Sequence, residues 1–378
     1  MASFAYLDHA ATTPMLPESL RAFSSTLQDN FGNPSGSHGV SRRARSALDD
    51  AREQLASVLG AQARELVFTS GGTEALNLAL GGAGRDGRIA WSAVEHDAVR
   101  NTVAAFERQL QRASLELPVD CCGVLDLDAV GCMLDPSVSI VAVMAVNNEV
   151  GSVQPVVELA AMVRRLAPHA VLLVDAVQAL PWMDLRPIVA VADLIAVSAH
   201  KFGGPKGVGA LIVKEGVAIE ATVFGGGQER DRRSGTQNVA GAVAMAVAAE
   251  ITDRDRVGAT ARIEAMRDRL VDGLVASVEG LTETSPRPSK VAGNAHVCIE
   301  GIESEELLVL LDQAGICASA GSACASGAVH ASPVLLAMGI PKERALGSLR
   351  LTLGVSTTDA DIEAALVAVP AAVARLRP

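Results

Sequence analysis

The chain has 378 residues, of which 49% are hydrophobic and 20% charged, and its formal net charge is −11. This is the composition of an ordinary globular protein, and the length exceeds one typical core, which predicts two domains. The negative charge argues against direct nucleic-acid binding as the main function. No apolar stretch approaches the roughly 20 residues that span a bilayer, and the first residues lack the basic and apolar regions of a signal peptide. We therefore expect a cytoplasmic protein that makes no membrane contact.

The six cysteines form no CxxC pair; they lie at positions 121, 122, 132, 298, 317 and 324. We expect all of them to be reduced in a cytoplasmic chain of this size. Cys298 and Cys317 stand in apolar runs and are expected to be small core residues. The spacing of the first three cysteines fits no zinc pattern, so no metal site is predicted.

Strands and helices alternate along most of the chain after an irregular N-terminal arm with a short helix and a loop at 31–38. The predicted elements, in chain order, are a helix at 41–59, a strand at 65–69, a helix opened by Gly71-Gly72-Thr73-Glu74, strands at 88–91 and 138–146, a helix at 156–166, and strands at 171–175, 194–197 and 209–213.

Repeated strand–helix units predict a mostly parallel sheet with helices on both faces. The link at 203–207 is too short for a helical crossover, so the strand after it should run antiparallel to the strand before it. A long helix from 238 to about 274, interrupted near 253–257, should lead from this sheet into a second part of the chain. We assign residues 16–259 to a large α/β domain, and residues 1–15 and 260–378 to a small α+β domain.

Polar residues follow the predicted strands at one edge of the sheet, which is where parallel α/β sheets bind ligands. They are Thr73, His96, Asn148, Asp175, Ser198, His200 and Lys201. A lysine and an aspartate, each at the exit of a buried strand, indicate pyridoxal 5′-phosphate. The lysine amine forms a Schiff base with the cofactor aldehyde, and the carboxylate keeps the pyridine nitrogen protonated, so that the ring accepts electrons from a carbanion.

Two segments are candidates for binding the cofactor phosphate. Gly71-Gly72-Thr73 at a helix start suits an anion, with Ser198 and His200 as further donors, but the same segment is also compatible with an N-cap loop that binds nothing. The polar, glycine-rich segment 225–236 is either an exposed turn or reaches the phosphate of a neighbouring subunit.

Four residues have candidate roles around the cofactor ring and the substrate. His96 either stacks on the pyridine ring and handles protons or is a structural histidine. Gln178, one turn after the aspartate, could donate to the ring hydroxyl. Arg350 and Asn148 are candidates for a substrate carboxylate, and the alternative for the arginine is an internal salt bridge.

Cys324 lies in a segment made almost entirely of Gly, Ser and Ala, Ala320-Gly321-Ser322-Ala323-Cys324-Ala325-Ser326-Gly327. Such a segment suits a mobile nucleophile, and a thiolate is the reactive form of cysteine. The alternative is a buried, inert thiol.

Taken together, these motifs resemble those of the cysteine desulfurases, which are pyridoxal-phosphate enzymes of fold type I in the class V aminotransferase group. The resemblance covers nearly the whole chain and rests on Tyr6-Leu7-Asp8-His9-Ala10-Ala11-Thr12-Thr13, Asn148-Glu149-Val150-Gly151, Ser198-Ala199-His200-Lys201, Gly226-Gly227-Gln228-Glu229-Arg230, Arg233-Ser234-Gly235-Thr236 and Arg350-Leu351-Thr352-Leu353-Gly354. The segment around Cys324 is similar to the branch with an extended mobile cysteine loop, which supplies iron–sulfur assembly and tRNA thiolation. The chain departs from its relatives at 80–88, which is short and glycine-rich and should affect only a surface connection.

The resemblance implies an α/β protein of fold type I with a mostly parallel seven-stranded sheet, a smaller α+β domain and a homodimeric assembly. It implies three catalytic residues, Cys324, Lys201 and His96. It implies a cofactor site made of Lys201, Asp175, Gln178, Thr73, Ser198, His200, His96 and Thr236 of the partner subunit. It implies that the substrate is held by Asn148, Arg350 and Asn33.

The implied reaction removes sulfur from L-cysteine, giving L-alanine and a persulfide on Cys324. The sulfur would pass to acceptor proteins such as an iron–sulfur scaffold or a tRNA-thiolation relay. Three alternatives stay open at this point: a selenocysteine lyase, an ordinary class V aminotransferase that needs no nucleophilic cysteine, and a non-catalytic scaffold that carries sulfur or metal.

Overall fold

The computed structural model describes residues 4–84, 86–321 and 331–377. Cys324 lies outside these ranges. Among the described residues, no helix combines the length and the apolar character needed to cross a membrane.

The strands of the described residues are β1 (Ala5–Tyr6), β2 (Leu66–Thr69), β3 (Arg88–Ser92), β4 (Ser114–Leu117), β5 (Val138–Met144), β6 (Val171–Asp175), β7 (Leu194–Ser198), β8 (Gly209–Val213), β9 (Leu281–Glu283), β10 (Asn294–Ile299), β11 (Ile316–Cys317) and β12 (Ser348–Thr352). The helices are α1 (Pro17–Asp29), α2 (Gly39–Leu59), α3 (Gly72–Gly82), α4 (Asp97–Leu110), α5 (Leu127–Met133), α6 (Val156–Leu166), α7 (Arg186–Val191), α8 (Val239–Ser277), α9 (Ser304–Gln313), α10 (Pro333–Ala337), α11 (Lys342–Ala345) and α12 (Asp359–Leu376).

A seven-stranded sheet forms the larger part of the molecule, with the strand order β2-β8-β7-β6-β5-β3-β4. All neighbouring strands from β7 to β4 pair in parallel, whereas β8 is antiparallel to both β7 and β2. The predicted α/β class, the mostly parallel sheet and the antiparallel strand after the short link are therefore confirmed. The central strands β5, β7 and β8 are buried along their whole length, because helices cover both faces of the sheet.

The helix after the N-terminal arm illustrates how local sequence sets the element boundaries. Helix α2 buries Ala44, Leu48, Ala51 and Leu55, which recur at the helical period and lie in the large apolar core. It ends where Gly60 adopts a left-handed conformation with φ of 75°, which a residue with a side chain adopts only with strain. The helix predicted at 41–59 is thus confirmed, with an earlier start.

A second group of elements has its own sheet and core. Strands β12, β10 and β9 form an antiparallel three-stranded sheet, and β1 pairs with β11 in parallel. Leu270, Val297, Leu351 and Val369 lie in one apolar core, which also takes in Leu7 from the N-terminal segment. The first residues of the chain therefore pack with elements from its last third.

Helix α8 runs without a break through the segment where an interruption was predicted, so that prediction is wrong. The polar run at 253–257 contains no glycine or proline, and its charges are paired: Arg256 and Arg186 bind Asp253 at 2.7 and 2.8 Å. A loss of the apolar pattern does not end a helix when the run contains no helix breaker and its charges pair with neighbouring residues.

Candidate active site

The polar residues predicted at the sheet edge follow the carboxyl ends of adjacent strands. Asp175 ends β6, and Lys201 follows the neighbouring strand β7 in a short 3₁₀ turn over Ala199–Lys201. His96 follows β3, and Asn148 follows β5. Since β3, β5, β6 and β7 are consecutive parallel neighbours, these four side chains belong to one edge of the sheet.

Asp175 is a buried carboxylate, and its Oδ1 accepts a hydrogen bond from the backbone N–H of Val177 at 2.9 Å. Burial raises the pKa of the Asp175 carboxyl above its ordinary value, although this hydrogen bond and the charges of His96 and Lys201 act in the opposite direction. The carboxylate is therefore held in a place where a cationic partner would stabilise it.

Lys201 meets the N-terminal segment of the chain. Its Nζ donates to the carbonyl oxygens of Ala10 and Ala11 at 2.5 and 3.0 Å, and Nε2 of Gln178 donates to the same Ala10 oxygen at 2.7 Å. The structure thus brings Lys201 and Gln178, which lie 23 positions apart, to one backbone carbonyl.

His96 is the N-cap residue of helix α4. Its Nδ1 accepts a hydrogen bond from the backbone N–H of Ala98 at 3.0 Å. In the neutral ring the proton then lies on Nε2, which is the nitrogen that remains for a substrate or a cofactor.

The start of helix α3 forms a cradle beside β7. Gly209 of β8 pairs with Thr69, the last residue of β2, on one side and with Ser198, the last residue of β7, on the other. The ends of β2 and β7 therefore lie on either side of Gly209. Gly71 has a φ of 154° and a ψ of −174°, a conformation open almost only to glycine. A β-carbon built on Gly71 would lie 3.8 Å from the Ser198 hydroxyl oxygen. The glycine therefore leaves open the space between the helix N-terminus and this hydroxyl.

His200 has a contact that the sequence did not predict. Its Nδ1 lies 3.1 Å from the hydroxyl oxygen of Thr12. Burial and the charges of Lys201 and Lys206 lower the pKa of His200 to about 4, so the imidazole is neutral at physiological pH. As a phosphate donor, it would act through one N–H and not through a positive charge.

Arg350 lies in β12 and is held by three partners. Its Nη2 donates to Oδ1 of Asp8 at 2.8 Å, and its Nη1 donates to the carbonyl oxygens of Asn148 and Gly321 at 3.0 and 3.2 Å. The Nε atom is buried without a hydrogen-bond partner. The structure thus brings the Arg350 side chain to the backbone of Asn148, and it also contains the internal salt bridge that was the alternative for Arg350.

Two predicted residues are solvent-exposed. Asn33 accepts a hydrogen bond from the backbone N–H of Ser35 at 3.0 Å, and Thr236 lies in the polar segment before α8. Within that segment Glu229 is buried and bound by both Nη atoms of Arg52 at 2.7 and 2.8 Å, which ties the segment to helix α2.

Two buried glutamates were missed as site residues, although each stands next to a predicted one. Glu95 precedes His96; its Oε1 accepts from the backbone N–H of Met144 at 2.6 Å, and its Oε2 has no partner. Burial and then the charge of Asp175 raise the pKa of Glu95 well above its usual value. A glutamate at a strand exit beside a candidate histidine was the available signal.

Glu149, which follows Asn148, contacts both described ends of the segment that contains Cys324. Its Oε2 accepts a hydrogen bond from the Ser332 hydroxyl at 2.5 Å, and a β-carbon built on Gly321 would lie 3.0 Å from the same oxygen. Burial raises the pKa of the Glu149 carboxyl, and the hydrogen bond from Ser332 partly offsets this effect. No local pattern predicts contacts between residues so far apart in the chain.

The residues at this edge fit pyridoxal 5′-phosphate. A buried carboxylate suits the pyridinium nitrogen, and the charge of Lys201, which follows the adjacent strand, acts on this carboxyl. The open cradle between Gly71 and Ser198 suits a phosphate at a helix N-terminus.

The described cysteines are all free thiols: Cys121, Cys122, Cys132, Cys298 and Cys317. Cys298 is buried, as predicted, whereas Cys317 is only partly buried. In the described part of the chain, no group of three or more His, Cys, Asp or Glu residues is placed to hold a metal ion.

Comparison with known proteins gives consistent results. The family model "Aminotransferase class-V" matches residues 5–365. The chain is 42% identical to an "IscS-like cysteine desulfurase" of Mycobacterium tuberculosis over 99% of its own length and 97% of the relative. It is 38% identical to a "Cysteine desulfurase IscS" of Methanosarcina thermophila over 98% and 92% of the two chains.

Solved structures agree with these matches. A "NifS-like protein" superimposes with a TM-score of 0.92 at 32% identity, covering 99% of this chain and 100% of that one. A structure described as "SspA in complex with cysteine" gives a TM-score of 0.81 at 27% identity, covering 94% and 100%. The chain belongs to the class-V aminotransferase family, within its cysteine desulfurase group. Enzymes of this family depend on pyridoxal 5′-phosphate.

Proposed function

We propose that this protein is a cysteine desulfurase that uses pyridoxal 5′-phosphate to convert L-cysteine into L-alanine and an enzyme-bound persulfide. The observation that carries this proposal is the pairing of buried Asp175 with Lys201 at the ends of adjacent parallel strands, in a chain that belongs to the cysteine desulfurase group.

The residues that would hold the cofactor are Lys201, Asp175, Gln178, His96, Thr73, Ser198, His200 and Thr236 of the partner subunit. Bound there, pyridoxal 5′-phosphate would supply an electron sink for the pair released at the substrate Cα. Asp175 would favour this role because a buried carboxylate stabilises a protonated pyridine nitrogen.

Lys201 and His96 would handle the protons. The Lys201 amine would leave the Ala10 and Ala11 carbonyls and take the proton from the substrate Cα. It would return a proton later in the reaction. His96 would relay protons through Nε2, because its Nδ1 is engaged by the backbone N–H of Ala98.

Arg350 and Asn148, with Asn33 nearby, would hold the substrate carboxylate. To bind the substrate, Arg350 would either release Asp8 or bind both carboxylates at once. Its Nε, which has no hydrogen-bond partner, is available as a further donor. A bidentate contact to a carboxylate matches the planar geometry of guanidinium.

Cys324 would receive the sulfur as a thiolate. Its Sγ would bond to the substrate sulfur while the carbon–sulfur bond of the substrate breaks, and a proton on the former Cβ would complete L-alanine. The structural neighbour described in complex with cysteine supports this substrate. The persulfide would then pass to acceptor proteins, for which we propose those of iron–sulfur cluster assembly or tRNA thiolation.

We also propose the assembly and the setting of this reaction. Residues 1–15 and 260–378 would form the small domain and residues 16–259 the large one, which the two separate apolar cores support. The protein would act as a cytoplasmic homodimer, since the exposed segment that carries Thr236 is suited to reach a neighbouring subunit.

The test is incubation of the purified, pyridoxal-phosphate-loaded protein with L-cysteine and no keto acid. Formation of L-alanine together with a gain of one sulfur atom on the Cys324 peptide supports the proposal. Amino-group transfer that requires a keto acid, without a persulfide, would instead identify an ordinary aminotransferase. A Cys324→Ser variant should keep the cofactor absorbance and lose sulfide release.

A further inference from the structure

The N-terminal segment 6–13 binds the short 3₁₀ turn that carries His200. The backbone N–H and the hydroxyl of Thr13 both donate to the His200 carbonyl oxygen, at 2.9 and 2.8 Å. The Thr13 hydroxyl also accepts a hydrogen bond from the backbone N–H of Gly203 at 2.9 Å. These bonds fix the turn against the segment, and Thr12, the preceding residue, lies beside the His200 ring.

Thr12 is held by its backbone and contacts the ring with its side chain. Its carbonyl oxygen accepts a hydrogen bond from the Tyr6 hydroxyl at 2.8 Å. Its own hydroxyl oxygen lies 3.1 Å from Nδ1 of His200. Both Thr12 and His200 are partly buried, so water competes less for this contact than it would at the surface. The hydroxyl is thus held against one particular nitrogen of the imidazole.

The protonation of His200 determines what this contact does. Burial and the charges of Lys201 and Lys206 lower the pKa of His200 to about 4, so the ring is neutral and carries a single N–H at physiological pH. A hydroxyl can donate or accept. Nδ1 can therefore accept from Thr12 while the proton lies on Nε2, or Nδ1 can donate to Thr12 while Nε2 carries a lone pair.

A phosphate beside the ring distinguishes these two arrangements. Phosphate oxygens are negatively charged acceptors, so an N–H at Nε2 would bind them and a lone pair at Nε2 would repel them. Because the position of the proton in a neutral imidazole is set by the hydrogen bond at the other nitrogen, a donor at Nδ1 favours the productive form. The Thr12 hydroxyl can act as this donor, whereas a side chain of the same shape without the hydroxyl cannot.

We propose that Thr12 is a positioning residue for the cofactor phosphate: it donates to Nδ1 of His200 and thereby keeps the ring proton on Nε2, where the phosphate accepts it. This inference rests on the proposed use of pyridoxal 5′-phosphate and on the role proposed for His200. Thr12 itself contacts neither cofactor nor substrate in this role. It belongs to the N-terminal segment, so a residue far from the strand ends would complete the phosphate site through the ring of His200.

The experiment measures how tightly the full chain binds two forms of vitamin B6. Equilibrium dialysis gives dissociation constants for pyridoxal 5′-phosphate and for pyridoxal, which lacks the phosphate. Thr12→Val should raise the constant for pyridoxal 5′-phosphate about tenfold, the order expected when a hydrogen bond to a charged group is weakened, and should leave that for pyridoxal unchanged. Thr12→Ser keeps the hydroxyl and should bind both compounds as wild type does.

Two further measurements test whether Thr12 acts through His200. In a His200→Ala background, Thr12→Val should raise the constant for pyridoxal 5′-phosphate no further, because both substitutions remove one interaction. Nitrogen NMR of the ring-labelled holoenzyme should find the His200 proton on Nε2 in wild type. A wild-type ring protonated on Nδ1 would overturn the inference.

The choice of ligands separates this inference from the function on which it rests. The role of Thr12 is overturned if Thr12→Val binds pyridoxal 5′-phosphate as tightly as wild type, if it loses affinity equally for pyridoxal, or if Thr12→Ser is as weak as Thr12→Val. Each of these results leaves the proposed function standing, since the wild-type protein still binds its cofactor. A wild-type protein that binds no pyridoxal 5′-phosphate overturns both.

Discussion

Arg350 and Asp8 form an ion pair across 342 positions of sequence, with 2.8 Å between Nη2 and Oδ1. The Arg350 side chain is 3% exposed and that of Asp8 is 21% exposed. The pair joins the small antiparallel sheet to the N-terminal segment whose carbonyls bind Lys201. The Asp8 carboxylate thus binds the same guanidinium that is proposed to bind the substrate carboxylate.

The Asp8→Asn variant tests this competition. Asparagine can still accept a hydrogen bond, but it no longer neutralises Arg350, so the guanidinium should attract an anionic substrate more strongly. We expect the KM for L-cysteine to fall by up to about tenfold, which corresponds to about 1.4 kcal/mol. The free variant should also melt at a lower temperature, because a buried charge has lost its partner.

Steady-state kinetics and thermal unfolding measure both effects. Arg350→Lys is the companion variant, and its KM should rise because an ammonium group cannot make the bidentate contact. An Asp8→Asn enzyme with an unchanged KM would show that the salt bridge does not compete with substrate.

Asp175→Asn should separate binding of the cofactor from its activation. The amide has nearly the same volume and can still accept from Val177 N–H, but it cannot stabilise a protonated pyridine nitrogen. We expect kcat to fall at least about a hundredfold, the order observed when a preorganised electrostatic contact is removed. The absorbance spectrum of the bound cofactor should shift. A variant that keeps both the wild-type kcat and the wild-type spectrum would exclude the assigned role.

Glu95 predicts a specific pH dependence of stability. Because its pKa is raised well above the usual value in the folded protein, the native state holds this proton more tightly than the unfolded chain. The free energy of unfolding should therefore fall as pH rises from the unfolded pKa, about 4.3, towards the raised folded value. Glu95→Gln removes this titration, so the free energy of unfolding of the variant should fall less steeply as pH rises. The variant should therefore be more stable than wild type near neutral pH.

Denaturant unfolding of the cofactor-free protein at several pH values measures the effect. Glu229→Gln is the matched control, since hydrogen bonds and charge from Arg52 outweigh burial and lower the pKa of Glu229. The Glu229 carboxylate therefore stabilises the folded protein at pH values above its unfolded pKa, and this stabilisation is lost as the pH falls through its lowered folded pKa. Identical pH profiles for wild type and Glu95→Gln would contradict the assignment of a buried neutral acid.

Ser332→Ala tests whether Glu149 positions the segment that bears Cys324. The substitution removes the 2.5 Å hydrogen bond to Glu149 at one end of the segment and leaves the cofactor residues untouched. It also removes the cap of α10, in which the Ser332 hydroxyl accepts from the backbone N–H groups of Val334 and Leu335. We expect persulfide formation on Cys324 to slow by roughly tenfold to a hundredfold, because small misplacements of a reacting group are costly. The cofactor spectrum and the KM for L-cysteine should stay as in wild type.

Single-turnover formation of L-alanine and mass spectrometry of the Cys324 peptide provide the measurement. Ser332→Thr, which keeps the hydroxyl, should restore most of the rate. Equal loss of rate in the threonine and alanine variants would point to packing and not to the hydrogen bond.

The sheet could be predicted from the sequence because its strands are short, apolar runs bounded by turn signals. Asp175, Lys201 and His96 could be assigned to one edge for the same reason, since they follow parallel strands. The continuity of α8 was missed because the polar run at 253–257 is held by ion pairs, including the one from Arg186, which no local pattern indicates.

The contacts missed in the site are those made over long sequence separations. The carbonyls of Ala10 and Ala11 bind Lys201 across 191 and 190 positions, and backbone carbonyls have no sequence signature. Asp8 belongs to a motif that carries the family resemblance, but the sequence did not predict its ion pair with Arg350. Residue type and strand position therefore reveal which groups gather at the edge, whereas their partners depend on how distant segments pack.

The proposed function depends on attachment of the cofactor to Lys201, and borohydride reduction followed by peptide mapping detects this attachment. Borohydride fixes an imine between a lysine and pyridoxal 5′-phosphate as a stable secondary amine. We expect a yellow protein with the pyridoxyl label on the peptide that contains Lys201, and a colourless, unlabelled Lys201→Ala variant. A colourless wild-type protein in the presence of the cofactor, or a label on another lysine, would contradict it.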